Sequence, residues 1–410
     1  EEAEQILGKI ADYFLHNTLE IQHPQDDSVI KFSLKHQQKL VFRRSRGFAP
    51  NYFFAEELSQ LNKEKNKILS LGGDLKNTFA IVPNNHVYIS EYIGDLANFE
   101  TYERFENTVK SYQKIFNFSP EIILKDLHPK YENQNIISKF SNVKLEEIQH
   151  HKAHFASILG EKKLWKNDKV LGIIWDGIGF GTSTEIWGGE FFLFENKRIK
   201  RFAQLENFAW ILGDKMSKTP KISALSISAN NEDLKFAFDE NEWKIYTQLI
   251  EKSEVKTSSM GRFFDAVSFV LGYEKPIFFE GESAMWLEKI SQETFENNIK
   301  ITDYLEEEKF ENIPTKKLFS RILKEKMSGK NDGEIGLNFH YTLIKAIEKT
   351  AEKNNIKDLA FSGGVWQNAL LVDLAIDVLG EKFSLNFHEK LSPNDENISF
   401  GQLNYYLNLK

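Results

Sequence analysis

At 410 residues, 41% hydrophobic and 13% aromatic, the chain is too long for one ordinary core and too apolar to be disordered, so two or three lobes are expected. A formal net charge of -8 disfavours nucleic-acid binding, and the absence of cysteine excludes disulfides, thiolate zinc sites and a cysteine nucleophile, so any metal must use N and O ligands. No apolar run approaches the ~18 residues of a membrane span and Glu1-Glu2-Ala3-Glu4 opens no signal peptide, so a cytoplasmic protein without a membrane partner is expected.

Residues 1–52 read as a helix from Ala3 to Leu15 followed by two or three strands, among them Asp26 to Phe32 and Leu40 to Gly47. This is too little to close a core, so the segment either docks on the residues C-terminal to it or ends a preceding domain; the missing initiator Met favours the second. Asn51 to Leu61 then reads as a helix opening a new unit.

From there one pattern occurs twice. The first copy has strands at Lys67 to Gly72, Asn77 to Val82 and His86 to Ser90, a helix at Asn98 to Phe116 and a strand at Glu121 to Leu124. A helix near Gln134, a strand at Val143 to Ile148 and a helix from Gln149 complete it. The second copy has strands at Lys169 to Trp175, Thr184 to Phe194 and Ile199 to Leu205, then a long helical insertion. A strand at Asp358 to Ser362, a helix at Val365 to Leu379 and a strand at Phe383 to Phe387 come after it. A hairpin meander continued by alternating helix and strand, used twice, is the layout of the two-lobed α/β actin-like ATPase and sugar-kinase fold, with nucleotide between the lobes. A single doubly wound sheet competes, but the opening hairpins fit it badly. The basic run Lys197 to Arg201 reads as a solvated hairpin tip.

Two stretches carry chemistry. In Gln149-His150-His151-Lys152-Ala153-His154, helical spacing puts His150 and His154 on one face, able to share a metal, while His151 points elsewhere. Such a pair also arises by chance, and Lys152 after His151 removes the glutamate of a zinc-protease motif. About twenty residues on, Asp176 and the alternating Gly177, Gly179 and Gly181, followed by Thr182, are expected at a strand end, where a tight turn offers backbone N–H groups to phosphate. A plain hairpin is the competing explanation, supported in part by Gly188-Gly189.

These strings resemble the hydrogenase maturation carbamoyltransferase family, HypF. Besides Gln149 to His154, the resemblance lies in Asp176 to Thr182, Ile186 to Glu190, Thr257-Ser258-Ser259-Met260-Gly261-Arg262-Phe263-Phe264-Asp265 and Phe279-Glu280-Gly281. Ser362-Gly363-Gly364-Val365-Trp366-Gln367-Asn368, Pro393-Asn394-Asp395 and Gly401-Gln402 continue it in the family's order, and Gly94-Asp95-Leu96 and Asp126-Leu127-His128-Pro129 fit as well. Asp26 to Val29 and Arg43-Arg44-Ser45-Arg46-Gly47 resemble the end of the family's YrdC-like domain.

The resemblance implies three parts: residues 1–52 closing a YrdC-like domain, a lobe at 53–165 with the histidine helix, and a lobe at 166–410 with nucleotide loops and a C-terminal aspartate. By the same resemblance to HypF and to the related tRNA threonylcarbamoyl transferases, His150, His154, Asp395 and Asp176 hold a divalent ion, Fe, Zn or Mg, with Asp176 and Asp395 acting in catalysis. Gly177, Gly179, Gly181 and Thr182 take phosphate, Ser258, Gly261 and Asp265 line the ribose, and Gly363, Gly364 and Asn368 grip the nucleoside, with Glu280 and Gly281 beside them. The implied ligands are ATP, AMP or carbamoyl adenylate. The implied reaction moves the carbamoyl group to the C-terminal cysteine thiol of a HypE-like partner, toward the cyanide ligands of [NiFe]-hydrogenase.

Four motifs depart from the family, among them Leu212-Gly213-Asp214 in place of Gly-Gly-Asp and Thr219-Pro220-Lys221 where the family tends to have Glu-Pro-Trp-Arg. Its Asn-Asp-Gly-Gly reads Asn394-Asp395-Glu396-Asn397 and its Glu-Gly-Gln-Ala reads Glu280-Gly281-Glu282-Ser283, placing extra carboxylates where they would repel phosphate. Alternatives are therefore a related O-carbamoyltransferase, a tRNA-modifying relative, or a nucleotide-binding module without turnover.

Overall fold

The computed structural model describes residues 2–19, 24–49, 66–84, 86–181, 184–229, 231–296 and 300–410, together with the backbone of 51–54. A six-stranded sheet carries the first lobe, in the order Asn51–Phe54, His86–Ile89, Ala80–Val82, Ile68–Ser70, Ile122–Asp126, Lys144–Ile148. Its meander pairs are antiparallel, and Ile122–Asp126 then lies parallel to both Ile68–Ser70 and Lys144–Ile148. The crossover helix Phe99–Phe116 is capped by the Asn98 side chain on the Thr101 N–H and stopped by Asn117 in the left-handed region.

The second lobe repeats the plan. Lys169–Phe180, Glu185–Glu195 and Arg198–Gln204 form an antiparallel meander, and Asp358–Ser362 lies parallel to Lys169–Phe180 with Ser384–Asn386 parallel beyond it. Numbering each meander in chain order, both sheets run 3-2-1-4-5, which makes this the two-lobed actin-like α/β fold rather than a single doubly wound sheet. Val170, Leu171, Ile173, Ile174 and Trp175 are fully buried because helices cover both faces of this central strand, so it reads as a continuous apolar run. The helical insertion, including Pro220–Ser228, Met260–Val270, Glu282–Phe295 and Asp332–Lys353, packs into the largest core around this sheet.

Several expectations change. Asn51–Phe54 is a strand pairing with His86–Ile89, not the start of a helix, and the rest of that expected helix lies outside the described residues. The N-terminal helix covers only Glu2–Leu7 and buries nothing, because its apolar residues find no surface to cover. The segment after it does dock: the antiparallel hairpin Val29–Phe32/Lys39–Arg43 sends Leu40 into the second lobe's core, and the backbone N–H groups of Lys35 and His36 donate to Asp373 at 2.9 and 3.0 Å.

The C-terminal helix Ile398–Leu409 returns to the first lobe, where Ile398, Phe400 and Leu403 share a cluster with Ile68, Val87 and Ile148. It crosses the histidine helix closely, since a Cβ at Gly401 would sit 2.0 Å from the Ala153 carbonyl oxygen. Asp395, just before this helix, is thereby carried to the histidines. Among the described residues no helix is long and apolar enough to cross a membrane.

Candidate metal and nucleotide site

The histidine helix His150–Glu161 starts where the Gln149 side chain accepts the Lys152 N–H at 2.9 Å. One turn apart, His150 and His154 turn their Nε2 atoms to the same two carboxylates. His150 Nε2 is 3.5 Å from both Asp176 Oδ2 and Asp395 Oδ1; for His154 Nε2 the distances are 3.5 and 3.4 Å. One ligand atom from each of the four residues lies within 4.8 Å of the others. Three separated segments thus converge on one point.

Each imidazole is anchored through its other nitrogen. His150 Nδ1–H donates to Asp126 Oδ2 at 3.0 Å, and His154 Nδ1–H to Asn397 Oδ1 at 3.1 Å. Asn397 is fixed in that orientation because its amide nitrogen donates to the Ser392 carbonyl at 2.8 Å and to Ser362 Oγ at 3.2 Å. Both Nε2 atoms are buried without a hydrogen-bond partner. Two unpartnered imidazole nitrogens facing two carboxylates, each held from behind, fit a divalent cation bound by N and O donors.

The electrostatics agree. Burial lowers the His150 pKa, but Asp395, Asp126 and Asp176 more than offset it and raise it well above the usual histidine value. Burial likewise favours neutral Asp176, yet the two histidines hold its carboxyl well below the ordinary range, and Asp395 is lowered too. His151 behaves oppositely: burial, then the charge of His150, pushes it well below normal. It packs between Gly179 and Trp187 and takes no part in the cluster.

Asp176 joins the cluster to a cleft of about 480 Å³. Its Oδ1 accepts the Gly364 N–H at 3.1 Å while Oδ2 faces the histidines. Gly363, at φ 103°, makes this turn; a Cβ there would stand 2.1 Å from the Trp175 carbonyl oxygen. Gly177, Gly261, Asp265, Glu280, Gly281, Gly364 and Asn368 all line the cleft.

Other expected residues lie elsewhere. Lys169–Phe180 is one strand paired with Glu185–Glu195, with a bulge between Trp175 and Gly179 where the register shifts, so the anticipated phosphate turn after Asp176 is a bulged hairpin arm. Gly179 gives the His151 ring room, and Gly181 abuts Trp187 and the Glu185 carbonyl near the hairpin end; neither lines the cleft. Thr182 lies outside the described residues. Ser258 is buried beneath the sheet, donating its hydroxyl to Glu190, while Ser259 caps Met260–Val270. Glu396 does not approach the cleft as a repelling charge. Its carboxylate is buried against Arg44, accepting the backbone N–H at 3.0 Å with Nε at 3.2 Å.

Sequence reasoning assigned no role to Asp126, Asn397, Arg44 or Lys76. For Asp126 a signal existed, a carboxylate closing a strand in a stretch already similar to the family.

Comparison with known proteins gives one answer. A family model described as "Carbamoyltransferase, Kae1-like Domain, second subdomain" matches residues 172–402, and the "HypF Kae1-like domain" matches 63–161. Carbamoyltransferase HypF from Synechocystis sp. is 32% identical over 97% of this chain and 54% of its own length. The probable carbamoyltransferase HypF from Methanocaldococcus jannaschii is 31% identical over 97% of this chain and 52% of its length. The chain therefore spans about half the length of these relatives. Among solved structures, a full-length HypF in a phosphate- and nucleotide-bound form aligns with TM-score 0.85 and 30% identity, covering 99% of this chain and 64% of that one. HypF of T. kodakarensis aligns with TM-score 0.84 and 29% identity over 99% and 55%. With both halves of its fold matched and the motifs in the family's order, the chain belongs to the carbamoyltransferase HypF family.

Proposed function

We propose that this chain performs the carbamoyl-transfer step of hydrogenase maturation: carbamoyl adenylate binds in the cleft, and its carbamoyl group passes to the C-terminal cysteine thiol of a HypE-like partner. The thiolate sulfur forms a bond to the carbamoyl carbon as the bond from that carbon to the phosphate oxygen breaks. AMP leaves with the electron pair, and the thiol proton goes to solvent. In this reading residues 1–52, apart from Asn51 and Tyr52 in the first lobe's edge strand, close the cleft through Val29, Lys31 and Phe42 as the end of a YrdC-like domain, 53–165 supply the histidines, and 166–410 supply the nucleotide loops and Asp395. A cytoplasmic place of action goes with it.

The supporting observation is the contiguity of the four-residue cluster with the cleft through Asp176. His150, His154, Asp176 and Asp395 would hold the divalent ion, which would supply Lewis-acid polarisation of the acyl carbonyl. The chain's own residues then position. Gly177 leaves open backbone beside Asp176, where phosphate oxygens can approach, and Gly261 lets its helix pack against the Gly177 backbone, where a Cβ would stand 2.9 Å from the Gly177 Cα. Asp126 and Asn397 keep the histidines aimed. The burial of Glu396 against Arg44 removes one objection that the altered glycines raise against turnover.

The test is mass spectrometry of a peptide ending in cysteine, incubated with the metal-loaded chain and preformed carbamoyl adenylate. A carbamoyl mass shift that needs the chain supports transfer. No shift above the chain-free rate would favour a nucleotide-binding module without turnover.

A further inference from the structure

Three cations line the cleft, Lys31, Lys76 and Arg262, and each is paired with a carboxylate. Two of these pairs are fixed from both sides. Glu288, 2.6 Å from Lys31, also accepts the Ala369 N–H at 2.9 Å; Asp265, 2.6 Å from Arg262, also accepts the Ser283 hydroxyl. The third pair differs. Glu280 is largely exposed, and among the described residues its carboxylate is held by Lys76 alone, whereas Lys76 is mostly enclosed.

Lys76 also stands in an unusual place. It occupies the left-handed region at φ 48°, which a non-glycine residue enters at a cost, in the connection between Ile68–Ser70 and Ala80–Val82. From there its ammonium feels Asp395 and Asp176 as well as Glu280. It belongs to the first lobe and Glu280 to the insertion of the second, so their ion pair ties the lobes across the cleft. An exposed carboxylate holds a lysine weakly, while a phosphate presents several charged acceptor oxygens. Of the three cations, Lys76 is the one whose partner can be displaced without leaving a buried, tethered carboxylate unpaired.

We propose that Lys76 is the phosphate-binding cation of this cleft and that Glu280 holds it until a nucleotide 5′-phosphate, as in AMP or an acyl adenylate, takes its place. This rests on the nucleotide reading above and reverses the expected role of Glu280, from a nucleotide contact to a competitor. Phosphate binding then exchanges a direct tie between the lobes for one made through the ligand.

Calorimetric titration of the whole chain with AMP and with adenosine tests this. Wild type should prefer AMP. Lys76→Met should lower AMP affinity about tenfold and leave adenosine affinity unchanged, with most of the AMP preference retained in Lys76→Arg. Glu280→Gln should raise AMP affinity about threefold, the size of an exposed ion pair, and this gain cannot come from misfolding. Loss of affinity for both ligands in both the Lys76→Met and Glu280→Gln variants would mark the pair as merely structural and overturn the proposal. Equal wild-type affinity for AMP and adenosine would overturn it while leaving the nucleotide reading standing. Binding of neither ligand would overturn both.

Discussion

The Asp126 carboxylate accepts the Nδ1 proton of His150 at 3.0 Å and so presents Nε2 to Asp176 and Asp395. A partner of this kind fixes the tautomer and raises the basicity of a ligand it does not replace. Asp126→Asn should therefore lower divalent-metal affinity about 10- to 100-fold while the fold is retained. Competition with a chromogenic chelator measures this; unchanged affinity would show that Asp126 is structural only.

The helix face makes a sharper claim. His150→Ala and His154→Ala should each abolish stoichiometric metal in elemental analysis, whereas His151→Ala should keep it, because His151 packs on Gly179 and Trp187 instead. Equal loss in all three variants would contradict the assignment.

How much of this was legible depended on sequence distance. The i, i+4 spacing of His150 and His154 is local, and so was readable. The doubled meander was readable because each half announces itself by short apolar strands at close intervals. Asn397 reaches His154 across 243 residues and Arg44 reaches Glu396 across 352, contacts set by the return of the C-terminal helix to the first lobe, which no local pattern encodes. The glycines after Asp176 misled for a related reason. A glycine needed for a helix to pack on a strand looks the same as one needed for a phosphate to approach, and Gly179 is of the first kind.

The Arg44–Glu396 pair is buried on both sides. Arg44→Met should destabilise the chain by about 3 kcal/mol in urea denaturation, and the double variant Arg44→Met/Glu396→Met should recover most of the loss, because the cost lies in stranding a buried charge. The same pair makes stability depend on pH. Burial, opposed by Arg44, raises the Glu396 pKa from 4.5 to about 7. The folded state therefore binds the proton more tightly, and the stability this contributes is present below 4.5 and lost as pH rises through about 7. The stability difference between wild type and Glu396→Gln should shift against wild type across that window; a constant difference would contradict the raised pKa.

Asn368 caps Ala369–Leu379 through the Leu371 N–H at 2.9 Å and contacts His340 Nε2 at 3.1 Å while lining the cleft. Asn368→Ala should thus cost about 1 kcal/mol of stability and weaken AMP binding, while Asn368→Ser keeps a capping oxygen and loses binding alone. Calorimetric titration beside thermal denaturation separates the two effects. Full AMP affinity in both variants would place the nucleoside elsewhere.

Asp176 serves both halves of the site, and its two oxygens allow the halves to be separated. Oδ1 holds the Gly364 N–H at 3.1 Å, and Oδ2 faces the Nε2 atoms of His150 and His154 at 3.5 Å. In Asp176→Asn the amide oxygen can keep the Gly364 bond while the NH2 group turns to the histidines, where it is no ligand. Metal affinity should then collapse, by about 100-fold or more, with AMP affinity within about threefold of wild type. Asp176→Ala removes both contacts and frees the turn held by Gly363, so it should lose metal and AMP together. Asp395→Asn supplies the control: Asp395 faces both histidines but makes no bond to the Gly364 turn, so it should lose metal alone. If Asp176→Asn and Asp176→Ala lost AMP affinity equally, Gly364 would owe its position to Gly363 and not to Asp176, and the link between the metal and nucleotide halves would have to run through another residue.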